Sequence, residues 1–103
     1  MLSQKAKAER SKRKHQSELA KSDKGILKVV TLLEQAEKMW DNAVHAHNVN
    51  DRTAEAVYWV KAADLVYKAY RVAVKAQLPV ALQDKLTEIE FSIDQRYHRT
   101  MPR

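Results

Sequence analysis

The chain has 103 residues, which is enough for one small domain. It contains no Cys, which excludes disulfides and thiolate metal sites, and its one Gly and two Pro are too few for the turns of a β-rich fold. The formal net charge is +6, and residues 1–24 supply +5 of it, with eight Lys or Arg against three acidic side chains. We therefore expect an all-α protein in which a basic N-terminal arm precedes a nearly neutral body.

The N-terminal arm, residues 1–24, is predicted to be disordered or a nascent helix. It has few apolar side chains to pack, and an isolated helix of this length is marginal in water. The segment Ser22–Gly25 predicts a break after it, because the only glycine suits a helix end or a hinge. The arm also holds the candidate nucleic-acid contacts, which are Lys5, Lys7, Arg10, Lys12, Arg13, Lys14 and Lys21.

These basic side chains suit binding to phosphates, since each neutralised phosphate releases condensed counterions without any contact to a base. No aromatic residue stands among them to stack on bases, so the pattern favours binding that is independent of sequence. The alternatives are a solubilising tail and contact with an acidic protein surface or a membrane.

The first helix of the body is predicted at about residues 26–47, where apolar side chains recur every three or four positions. It ends near Asn48, and Asn50 or Asp51 is suited to cap the next helix. If the chain turns at residues 49–50 into an antiparallel helix, Trp40 and Trp59 lie level and close the hairpin by aromatic packing.

The second helix, predicted at about residues 52–77, is apolar around most of its circumference. Such a helix must be covered on more than one side, so it is either the middle of three helices or part of an oligomer interface. The candidate interface for a second copy or for a partner helix is one of its apolar faces, formed by Tyr58, Leu65 and Val72.

The third helix is predicted at about residues 80–98. Leu78-Pro79 ends the preceding helix, because a residue before proline is pushed out of the α region. A regular apolar stripe then follows, and residues 100–103 are expected to be loose. The resulting fold is a three-helix up-down-up bundle, with residues 1–24 as the arm, 25–99 as the bundle and 100–103 as a tail.

Catalytic and metal-binding patterns are weak in this chain. It has no glycine-rich phosphate loop and no nucleophile motif, so we expect neither an enzyme nor a cofactor. The nearest approach to a metal site is a pair of Asp-x-x-x-His segments, Asp41 with His45 and Asp94 with His98, which a parallel first and third helix would bring to the same end. The alternative is two pairs that only stabilise the ends of their helices.

One stretch of the chain has a family resemblance. Residues 32–37, Leu-Leu-Glu-Gln-Ala-Glu, are followed by residues 50–54, Asn-Asp-Arg-Thr-Ala, and by an alanine-rich helix to Ala76. This capped hairpin resembles the oligomerisation segment of phage terminase small subunits. The resemblance implies an oligomer that holds DNA for a larger phage enzyme. Those proteins usually carry a helix-turn-helix before the hairpin, and here the basic arm stands in its place.

The sequence therefore predicts an oligomeric, non-enzymatic accessory protein that binds nucleic acid without sequence preference through its arm. The alternative is a helical protein-interaction or adaptor module whose arm only aids solubility. No apolar run approaches the ~20 residues needed to cross a bilayer, and we expect a cytoplasmic protein with no membrane partner.

Overall fold

The structure is a computed structural model that describes the backbone of residues 2–100 and the side chains of residues 23–100. Within this range the chain forms three α-helices and no strand: α1 (Leu2–Asn48), α2 (Arg52–Lys75) and α3 (Val80–Thr100). The predicted all-α bundle is confirmed. The bounds of α2 and α3 differ by at most two residues from those predicted.

The turn between α1 and α2 is set by Asn50 and Asp51. Asn50 adopts a left-handed conformation with φ of 58°, which asparagine tolerates better than most residues. The Asp51 amide donates to the carbonyl of Ala46 at 2.9 Å, in a Schellman-type closure of α1. The Asp51 carboxylate then accepts from the Ala54 amide at 3.1 Å, so Asp51 is the N-cap of α2.

The turn between α2 and α3 repeats this geometry without a favourable residue at its centre. Gln77 has φ of 55°, and the Leu78 amide donates to the carbonyl of Ala73 at 2.9 Å. The buried Leu78 supplies the hydrophobic contact that accompanies a Schellman motif. Pro79 lies immediately before α3, and its carbonyl accepts the amides of Leu82 and Gln83.

The α1–α2 hairpin has the predicted aromatic contact. The rings of Trp40 and Trp59 are 5.0 Å apart between centroids and nearly perpendicular, the edge-to-face arrangement that aromatic pairs prefer. Much of the remaining interface is alanine, and Ala62, Ala69 and Ala73 are completely buried on α2. Small side chains let the two helix backbones approach closely.

Gly25 is not the helix break that its sequence context suggests. Helix α1 continues through residues 22–25, and Gly25 is buried. A Cβ placed on Gly25 would lie only 2.6 Å from the Cβ of Ala76, so any larger residue would collide with the end of α2. The glycine is therefore needed for close approach of two helices, which periodicity along one helix does not reveal.

Helix α2 is the middle helix and packs against both α1 and α3. The α3 side of the core is centred on Leu86 and Ile93, which are almost fully buried. Among the described residues, no Cα of α3 comes within 8 Å of one in α1, so the two outer helices meet through side chains only. None of the helices, over the residues described, has a stretch long and apolar enough to cross a membrane.

Candidate interaction surfaces

The seven predicted nucleic-acid contacts, Lys5 to Lys21, lie outside the residues whose side chains are described. The formal charge of the body can nevertheless be compared with that of the arm. Residues 23–100 contain eleven Lys or Arg and eleven Asp or Glu, so the described body has a formal charge of zero. Residues 1–22 contain seven basic and two acidic side chains.

The point where the arm joins the body is fixed by the contact between Gly25 and Ala76. Lys24 precedes Gly25, and Lys75 precedes Ala76, so both lysines lie at this end of the bundle. Both side chains are exposed. Two exposed lysines therefore lie where the arm joins the body, with the exposed Asp23 one residue before Lys24.

The predicted interface residues on α2, Tyr58, Leu65 and Val72, are only partly exposed. All three are half-buried and pack against the core cluster. A different apolar stripe on α2 is more open to solvent: Val60, Tyr67 and Val74 are 49%, 44% and 45% exposed. These residues are seven apart and therefore share one face of the helix.

An open apolar groove lies where the start of α2 meets the end of α3. Its volume is about 630 Å³, and Val57, Val60 and Tyr97 line its apolar part, with Arg52 and Lys61 among its polar residues. Val60 belongs to both the groove and the exposed stripe. The groove therefore extends the apolar surface of α2 towards α3.

A buried acid, Glu55, joins all three helices at the end of the bundle away from the arm. Its carboxylate accepts hydrogen bonds from the Trp59 indole nitrogen at 2.9 Å and from the Thr100 hydroxyl at 3.0 Å. The Nδ1 of His47 lies 3.1 Å from its other oxygen. These contacts come from α1, α2 and α3, so the carboxylate acts as a tie between the helices.

These contacts also shift the acidity of Glu55. Burial raises its pKa, but the hydrogen bonds from Trp59, Thr100 and His47, with the charge on His47, outweigh that effect. The net pKa of Glu55 lies below the ordinary value of 4.5. The carboxylate form is therefore favoured by the fold, which is the behaviour of a structural anion rather than of a proton donor at neutral pH.

Sequence reasoning missed most of this network. The sequence pattern predicts no contact of Glu55 with other helices, and it places Thr100 in the loose tail. That assignment of Thr100 is wrong, because it is the last residue of α3 and bonds to Glu55; residues 101–103 lie outside the described range. The spacing of Glu55 and Trp59, four residues on one helix, was the available signal.

Arg96 covers the aromatic pair at the same end. Its guanidinium lies 4.4 Å from the ring centroid of Trp40 and 5.6 Å from that of Trp59. This cation–π contact links α3 to α1, whose backbones do not contact each other directly over the described residues. Both tryptophans are thus explained by packing within the body.

The possible metal quartet is not assembled. Asp41, His45, Asp94 and His98 are all exposed, and only Asp94 and His98 approach each other, at 3.5 Å within α3. No three His, Cys, Asp or Glu side chains gather at a metal-binding distance anywhere in the described part of the chain. Ala43 and Ile93 are buried on the inner faces of α1 and α3, so the Asp41–His45 and Asp94–His98 pairs lie on the outer faces of these helices.

Comparison with protein-family models, with curated proteins and with solved structures finds no match to this chain. Its fold and surfaces are therefore the basis for a functional proposal.

Proposed function

We propose that this protein is a non-enzymatic helical accessory protein that binds nucleic acid through its basic arm, while its body self-associates. The observation that carries the proposal is the separation of charge. Residues 1–22 hold seven basic and two acidic side chains, whereas the body from 23 to 100 is balanced. A segment of this kind attracts a polyanion through its phosphates.

The arm-proximal end of the body is consistent with this role. Lys24 and Lys75 are exposed beside the Gly25–Ala76 contact, so a bound phosphate backbone would meet positive charge where it reaches the body. At the opposite end, the carboxylate of Glu55 is occupied by its three partners. This arrangement favours a structural role for Glu55 and a binding role for the arm. The hairpin resemblance to phage terminase small subunits agrees with DNA as the polyanion.

The test is fluorescence anisotropy with labelled duplex DNA and duplex RNA, titrated with the full-length protein at several salt concentrations. If about four to six phosphates are engaged, a plot of the logarithm of the binding constant for duplex DNA against the logarithm of the salt concentration should have a slope of about −4 to −5. Affinity should change little with the base sequence of the probe.

A matched pair of full-length variants tests the position of the charge. In the first, the seven arm residues Lys5, Lys7, Arg10, Lys12, Arg13, Lys14 and Lys21 become Gln. In the second, the seven lysines from residue 23 onward become Gln, which are Lys24 at the end of the arm and six lysines of the bundle: Lys28, Lys38, Lys61, Lys68, Lys75 and Lys85. Both variants lose the same formal charge. We expect the arm variant to lose binding and the body variant to retain most of it; an equal loss in both would refute a specific role for the arm.

The alternative function is a helical protein-interaction or adaptor module. The observation that favours it is the open groove at Val57, Val60 and Tyr97, which offers an apolar surface to a partner helix. Absence of nucleic-acid binding at low salt, together with loss of a captured protein partner in a Val57→Glu variant, would support this alternative over the first proposal.

A further inference from the structure

The apolar stripe on α2 has an internal symmetry. Val60 and Val74 lie seven residues before and after Tyr67, and all three are nearly half exposed. When two copies of a helix pack antiparallel about a two-fold axis, residues equally far before and after the centre face one another. Centred on Tyr67, each Val60 would meet the partner's Val74, and the two tyrosines would meet at the axis.

We propose that the stripe Val60–Tyr67–Val74 is a homodimer interface, in which α2 pairs antiparallel with α2 of a second copy about a two-fold axis at Tyr67. The occupant of this apolar surface is therefore the same chain. The pairing gives a location to the self-association included in the proposed function, and it rests on that part of the proposal.

The charges beside the stripe are complementary to themselves under this symmetry. Asp64 lies three residues before Tyr67, and Arg71 lies four residues after it, both exposed on the same side of the stripe. In the antiparallel pair, each Asp64 lies level with the partner's Tyr70, so the partner's Arg71, one residue further along, is within reach of the Asp64 carboxylate. Asp64 already contacts Lys68 at 3.0 Å, but both side chains are more than half exposed, so the Asp64 carboxylate can contact a second cation.

The dimer geometry has a consequence for the arms. Ala76, which contacts the base of the arm at Gly25, lies nine residues from the axis along α2. At 1.5 Å per residue, the two arms would leave the dimer about 27 Å apart along α2 and at opposite ends. One dimer would thus present two separated basic segments to a polyanion.

Cysteine cross-linking tests the axis directly, because the chain has no other Cys. Under mild oxidation, full-length Tyr67→Cys should form a covalent dimer in high yield, since a disulfide requires Cα atoms within about 7 Å. The control is Leu27→Cys, at an exposed apolar position on α1. Equal and low cross-linking of both variants would overturn the proposed axis.

A charge-reversal set tests the pairing by sedimentation velocity without nucleic acid. Asp64→Arg and Arg71→Asp each place like charges close to one another and should shift the protein from dimer to monomer. The double variant, and a mixture of the two single variants, should restore the dimer. Failure of the mixture to restore it would refute the predicted contact between Asp64 and Arg71.

Two further outcomes would overturn the inference. One is a monomeric wild-type protein at every concentration. The other is a dimer that survives Tyr67→Glu but dissociates in Leu65→Glu, which would assign the interface to the half-buried face instead. The arm variant with seven Gln separates the two proposals: it should remain dimeric, so loss of nucleic-acid binding alone would not affect the interface.

Discussion

Replacing Glu55 tests whether one buried carboxylate ties the three helices together. In Glu55→Ala, the Trp59 indole N–H loses its acceptor in a position where Trp59 is only 2% exposed. A buried donor left without a partner costs about 1–3 kcal/mol. The other contacts add little, since the single hydroxyl hydrogen of Thr100 can donate to the carbonyl of Arg96 instead and the side chain of His47 is 71% exposed.

The expected loss is therefore about 1–3 kcal/mol in the free energy of unfolding, set mainly by the Trp59 donor. It can be measured by urea denaturation followed by tryptophan fluorescence, because both tryptophans lie beside the network. Glu88→Gln is the matched control, since Glu88 is exposed and makes only a long contact to Lys85 at 3.9 Å. A loss in Glu55→Ala no larger than in the control would refute the role of the network.

The pH dependence gives an independent check. The pKa of Glu55 is lower in the folded state than its ordinary value of 4.5. Its contribution to stability is thus present above the unfolded value and is lost as pH falls through the folded pKa. Glu55→Gln should therefore be less stable than the wild type near neutral pH, and the difference should shrink below about pH 4.5 as both forms become uncharged. A difference that stayed constant down to pH 3 would contradict the assignment.

Three other predictions concern the turns, the Gly25 contact and a second carboxylate. Gly25→Ala should destabilise the protein by about 1–3 kcal/mol, because overpacking against Ala76 outweighs the better helix propensity of alanine. Adding Ala76→Gly should restore stability in the double variant. Thermal denaturation measures both effects. Gln77→Gly should stabilise the protein by about 1 kcal/mol, because glycine adopts the left-handed conformation at this position without strain. Asn50→Gly should stabilise it less, since asparagine already tolerates that conformation. Equal gains in the free energy of unfolding, measured by urea denaturation, would be inconsistent with this reasoning. Burial and the charge of Asp94 raise the pKa of Glu90 in the folded state, so its ionised carboxylate destabilises the fold at neutral pH. Glu90→Gln should therefore stabilise the protein at neutral pH, and this gain should disappear as the pH falls below the folded pKa. A gain in stability that persisted in acid would argue against the prediction.

Local patterns predicted the helices because each depends on residues close together in the chain. Asp51 is a strong N-cap, and Leu78-Pro79 keeps α2 from continuing into α3, although α2 already ends at Lys75 in the turn at the left-handed Gln77. The level placement of Trp40 and Trp59 followed from antiparallel geometry alone. These inferences needed no knowledge of how the helices pack.

The features that sequence reasoning missed all depend on which residues meet across helices. Gly25 is explained by Ala76, and Glu55 is explained in part by Thr100, which lies 45 residues further along the chain. Likewise, the wide apolar surface of α2 was recognised, but periodicity could not tell which edge α1 and α3 would cover. The structure leaves Tyr67 more open than the predicted Leu65.

The arrangement of these features makes the proposals separable by mutation. The Glu55 network lies at the end of the bundle where α1 turns into α2, whereas the Gly25–Ala76 contact and the arm lie at the other end. Tyr67 lies on the exposed side of α2 between these ends. Changes at distant sites without shared partners are close to additive, so Glu55 variants should change stability without changing dimerisation or nucleic-acid binding, and arm variants should change nucleic-acid binding alone. If Tyr67→Glu weakened nucleic-acid binding as well as dissociating the dimer, while leaving the arm intact, avidity between two arms would be the physical reason.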